Sequence, residues 1–180
     1  MISISAARHA AVIDCAPAVK FSIAGTPGDV TLVNTPSVNQ QNLTVTGNGF
    51  ALSATNWAGQ TFVPSVTAQV TRVDLDLFCS GCTGTTPNLT VSLRATSGNV
   101  PTGPDLASAT ISGFSSGAGG YYAATFASPP TVTAGTKYAV IVRAVSNPSA
   151  GTYAYVCSCT TNSNPYANGS RVTSSNSGAS

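Results

Sequence analysis

Glutamate is missing from this chain altogether, and histidine occurs once, at position 9. Charged residues of all kinds make up 7% of the 180 positions, against about 25% in ordinary soluble domains. General acid/base chemistry at neutral pH depends mostly on histidine and carboxylates, so its usual vehicles are scarce here. The seven Lys and Arg are scattered, with Arg72, Arg94, Lys137, Arg143 and Arg171 far apart in the chain. A nucleic-acid groove or a surface for anionic lipid needs such charges clustered, and both readings are set aside. No run approaches the roughly 20 apolar residues of a membrane-spanning helix. Nor does the N-terminal stretch show an apolar core behind a basic start, as a secretory signal would. If the chain works outside the cell, Met1 is then expected to be a cut from a longer protein.

What replaces charge is hydroxyl, amide and glycine, a composition common in secreted surface proteins. The length suits one sizeable core. Residues 1–18 are Ala-rich and expected to be weakly helical. After them come Val19, Phe21 and Ile23 in alternation, a turn signal at Gly25-Thr26-Pro27-Gly28, and short apolar runs at residues 30–33, 43–45 and 50–52. A boundary is placed near residues 53–56, giving an irregular N-terminal extension over 1–55 and one domain over 56–180.

Within that domain the period of two is plain. Val73, Leu75, Leu77 and Cys79 alternate with Arg72, Asp74, Asp76 and Phe78, and Leu89, Val91 and Leu93 alternate with Thr90, Ser92 and Arg94. Further strands are expected at residues 60–63, 106–111, 121–126, 138–142, 152–159 and 170–174. About eight strands cut by turn residues predict an all-β, antiparallel, two-sheet β-sandwich of the jelly-roll kind. Its core should include Leu75, Leu77, Val91, Leu93, Val140 and Val142.

The runs Gln60-Thr61-Phe62-Val63-Pro64, Pro87-Asn88-Leu89-Thr90-Val91-Ser92-Leu93, Pro101-Thr102-Gly103-Pro104, Ala134-Gly135-Thr136-Lys137-Tyr138-Ala139 and Asn164-Pro165-Tyr166-Ala167-Asn168-Gly169, with the Val73–Leu77 strand, resemble a jelly-roll module. Modules of this type recur in large bacterial secreted and surface-anchored proteins, and the likeness covers residues 56–180. It implies carbohydrate binding or spacing rather than catalysis, a place outside the cell or on its surface, and no cofactor. Two features depart from that pattern: the final strand of the family usually runs on to a Trp-bearing end, and the cysteines are not part of it.

Cys15, Cys79, Cys82, Cys157 and Cys159 therefore have to be read from chemistry. The CxxC and CxC pairs could supply four thiolates to zinc. Outside the cell disulfides are the commoner use, so no metal site is assigned. Antiparallel alternation puts the end of the strand around Val73 opposite the start of the strand around Thr152, which leaves Cys79 and Cys82 far from Cys159. A Cys79–Cys82 bridge closing the Ser80-Gly81 turn is the expected pairing, and a cross-strand pair joining the two clusters is the alternative. Cys157 and Cys159 remain as free thiols or a strained short ring, and Cys15 is odd in every scheme.

A Ser or Cys nucleophile needs a base held by a third group, and His9 is expected to be a solvated residue of the extension. Asp74 and Asp76 share one strand face. Side by side, they cannot flank a sugar as glycosidase carboxylates do, and they are expected to form a solvated face balanced by Arg72 or Arg94. No catalytic residue is assigned. For binding, aromatic rings that stack on sugar faces are the candidates, and Trp57, Tyr155 and Tyr166 are chosen. Sequons at Asn42, Asn88 and Asn168 mark surface only if the source glycosylates. The expectation is a non-catalytic extracellular structural or adhesive module, with glycan or neighbouring surface modules as partners. The alternative is a self-associating filament subunit whose residues 19–52 add a strand to a neighbour.

Overall fold

A computed structural model describes residues 11–15, 21–22, 31–32, 37–42, 48–81, 86–115, 120–147, 152–157 and 167–178. Among them every regular element is a strand: β1 (Ala11–Cys15), β2 (Phe21–Ser22), β3 (Thr31–Leu32), β4 (Ser37–Asn42), β5 (Asn48–Leu52), β6 (Trp57–Phe62), β7 (Ala68–Ser80), β8 (Leu89–Ser97), β9 (Val100–Ile111), β10 (Gly120–Thr125), β11 (Thr131–Val132), β12 (Tyr138–Ala144), β13 (Thr152–Cys157) and β14 (Arg171–Ser174). No helix there is long and apolar enough to cross a membrane.

Two antiparallel sheets pack face to face. One runs β14-β6-β12-β8-β9. The other is built on β7, which β10 and β13 flank. Leu77 shows the arrangement, being paired with Gly120 of β10 on one side and Tyr155 of β13 on the other. From β6 onward these make the eight strands of a sandwich. The short β11 also pairs with β7, and β1, β4 and β5 extend this sheet through pairings with β7, β1 and β13.

The order of pairing is nested: β6 with β14, β7 with β13, and β8 with β12. This is the winding expected of a jelly roll. It requires the end of β7 to meet the start of β13, and Ser80 does lie opposite Thr152. The core row follows the period of two, with Leu75, Leu77, Val91, Leu93, Val140 and Val142 all buried. Leu52 and Phe62 are buried with them.

Three expectations need correction. Of the segment 1–18, expected to be weakly helical, the described residues Ala11–Cys15 form the strand β1. The strand expected to begin at Leu106 begins instead at Val100, and so takes in Pro101 and Pro104. Because β9 ends the order of its sheet, missing proline N–H donors on its outer side cost no ladder bond. Asp74 and Asp76, expected to be solvated, are buried. Burial of a charge requires a partner, and Arg72 supplies Asp74 with hydrogen bonds from Nε and Nη2 to the same Oδ2 at 3.1 and 2.8 Å.

Candidate binding groove on the five-stranded sheet

Residues that alternate with the core row point away from the partner sheet, and on β6, β8 and β12 they are Trp57, Gly59 and Thr61; Ser92 and Arg94; and Ala139, Ile141 and Arg143. Thr61, Ser92, Ala139 and Ile141 are buried all the same. This second face is closed by small residues and paired polar groups. Gly59 lies directly beside Ile141 and Val172 in the ladder, where an added Cβ would run into the Val140 carbonyl and stand 2.7 Å from Ile141 Cδ1. Thr61 Oγ1 accepts from the Ser170 amide at 2.7 Å.

Trp57 is half-buried at the start of β6. Its Nε1–H donates to the Ala54 carbonyl at 2.8 Å, and Gly178 sits so close to the ring that a Cβ there would be 2.5 Å from it. The Arg143 and Arg94 guanidinium carbons lie 4.8 and 5.7 Å from the ring centroid, within cation–π range.

Asp105 ties both arginines together. Arg94 donates from Nε to its Oδ1 at 2.6 Å, and Arg143 from Nη2 to its Oδ2 at 2.9 Å. Ser92 Oγ donates to Oδ2 at 2.8 Å and accepts from Arg143 Nη1 at 2.7 Å. The carboxylate reaches this point because β9 bulges: Leu93 pairs with Ala107 but Ala95 pairs with Thr102, so residues 103–106 stand opposite Arg94 alone. Gly103, at φ +68°, takes the left-handed turn that opens the bulge. Burial works against ionisation of Asp105, yet the hydrogen bonds from Arg143, Arg94 and Ser92 outweigh it and hold the carboxyl below its ordinary value.

A groove of about 580 Å³ runs over this face, with Ile141 and Val172 in its floor and Trp57, Arg94, Thr102 and Asn176 around them. The tip of the β8–β9 hairpin forms one wall and the residues after β14 the other. It offers an indole edge, a cation, hydroxyls and an amide.

Of the three aromatic candidates, the structure places Trp57 here. Tyr155 lies on β13 in the opposite sheet, paired with Phe50 and Leu77, so the two do not share a surface. Tyr166 lies outside the described residues. Cys79 is buried near the end of β7, with Tyr153 opposite it; Cys82, and with it the expected Cys79–Cys82 bridge, also lies outside them. Tyr138 and Tyr122 are packing residues, the first near Phe62 and the second stacked on Phe114 with centroids 4.0 Å apart. Among the described residues no three His, Cys or Asp side chains gather as a metal site would require.

Sequence reasoning missed Arg94, Arg143 and Asp105 as a group. Both arginines follow core residues directly, Leu93 and Val142, so alternation already placed them on one face. Asp105 carried no such signal, because the bulge breaks the alternation. No protein-family model, curated protein or solved structure shows significant similarity to this chain.

Proposed function

We propose that the chain is a non-catalytic extracellular module, a structural or adhesive unit of a bacterial surface protein, which binds carbohydrate weakly in the groove beside Trp57. The observation that carries this reading is an incompletely buried indole in a groove with an apolar floor, whose polar groups are hydroxyls, an amide and a guanidinium. Apolar C–H faces of a sugar pack on such a ring, while its hydroxyls need polar partners around it. Weakness follows from the same geometry. Gly178 already covers part of the indole and Ala54 takes its N–H, so the ring is no open platform.

The groove also argues against turnover. No carboxylate is among its lining residues, and Asp105, bonded to Arg94 behind it, is held ionised between two arginines and neither donates nor takes up a proton readily at neutral pH. Pairing of β1 with β7 and of β5 with β13 inside one chain favours the module over strand exchange between neighbours.

A glycan array probed with the full chain and with Trp57→Ala tests this. Weak binding that falls about tenfold or more in the variant, with an unchanged circular dichroism spectrum, is the expected result. If no glycan binds but ordered polymers form and disappear on deletion of residues 1–52, the filament reading takes its place.

A further inference from the structure

Arg94 is fixed at one end and open at the other. Its Nε–H is committed to Asp105, and the guanidinium lies within reach of the Trp57 ring, so its plane is set by the protein. Among the described residues its two terminal nitrogens have no hydrogen-bond partner, and the side chain keeps 20% of its exposure while lining the groove. Arg143, by contrast, spends both terminal nitrogens on Ser92 and Asp105.

Charge points the same way. Two arginines share one aspartate, which leaves one positive charge uncompensated in the cluster. A guanidinium with both terminal nitrogens open presents a planar pair of donors, and a carboxylate matches that pair with two parallel bonds. Since the plane is already locked, little side-chain freedom is lost on binding.

We infer that the groove selects an acidic glycan, whose uronate carboxylate is received by Arg94 while the sugar ring lies over Ile141 and Val172 against the Trp57 edge. This rests on the carbohydrate reading above and narrows it to acidic sugars. A peptide carboxylate fits less well. At the centre of the floor Ile141 lies on β12, whose backbone is paired on both sides by β6 and β8, so an extended peptide lying over it would find no strand edge there to pair with.

The test is titration of the full chain with tetragalacturonate and with its fully methyl-esterified form, which has the same sugar skeleton and no charge. The acid should bind about tenfold more tightly than the ester, lose that advantage as salt rises from about 0.05 to 0.5 M, and lose it again in Arg94→Gln. The comparison of acid with ester needs no variant, so it stands even if Arg94→Gln disturbs the network. Equal binding of acid and ester, abolished in Trp57→Ala, overturns the acidic selection and leaves the carbohydrate groove standing. Absence of binding to either overturns the acidic selection, and the glycan array then decides whether the carbohydrate groove stands. Tighter binding of an aspartate tetrapeptide than of the uronate would replace the glycan with a peptide ligand and overturn the inference.

Discussion

The two faces of the five-stranded sheet are both buried near its centre, and they are buried by opposite means. On the inner face Leu89, Val91, Leu93, Val140 and Val142 meet Val73, Leu75 and Leu77 of the other sheet, and the gain is transfer of apolar surface out of water. On the outer face Gly59, Thr61, Ser92 and Ala139 keep the layer thin, and Trp57 with the Arg94–Asp105–Arg143 cluster closes over it. Polar burial of that kind holds only if each group finds a partner, and among the described residues no buried side-chain nitrogen or oxygen lacks one. One face stores stability while the other shapes a site.

The strongest way to break the comparison is to cut the inner face. Leu77 is fully buried on β7 between two neighbouring strands, and Leu77→Ala removes apolar contacts and leaves a cavity, at about 2 to 5 kcal/mol. Urea unfolding followed by circular dichroism measures it. A loss below about 1 kcal/mol, the range of a surface change, would mean that the inner row is not the main store of stability.

Overfilling the outer face should come next. Gly59→Ala drives a methyl group into the Val140 carbonyl and to 2.7 Å from Ile141 Cδ1, and a backbone oxygen cannot swing aside as a side chain can. About 1 to 3 kcal/mol is expected from such overpacking. Pairing it with Ile141→Ala in a double-mutant cycle sharpens the point. If Ile141→Ala rescues little, the backbone contact dominates.

These two positions also show what the sequence could disclose. Leu77 was legible, because a strand with one face toward a core writes its burial as alternation. The nested strand order was legible only as an expectation from strand count and resemblance. Gly59 was not, since a glycine inside a strand looks like weakness until Ile141 and Val172 are seen to crowd it. Trp57 was chosen for its chemistry and does line the groove, whereas Tyr155 was chosen by the same rule and falls on the opposite sheet. Residue type names candidates, and pairing across the sheet decides which share a surface. Asp105 was hidden for a different reason: a bulge of residues 103–106 turns it toward arginines on two other strands, and no periodicity encodes that.

The smallest effect tests whether charge, rather than shape, closes the outer face. Asp105→Asn keeps the size of the side chain and removes its charge, leaving Arg94 and Arg143 to face each other. Because the cluster is partly exposed, solvent screening limits the loss to about 1 kcal/mol at neutral pH. The sign with pH is fixed by the lowered folded-state value. A carboxyl that ionises more readily folded than unfolded contributes its full stability above the ordinary value of 3.8, and loses it as pH falls through the lower folded value. The stability gap between the parent chain and Asp105→Asn should therefore be constant above about pH 5 and close in stronger acid. Thermal melts of both proteins across that range measure it. A gap that persists after the carboxyl is protonated would assign the closure to packing and hydrogen-bond shape, and would make the outer face resemble the inner one after all.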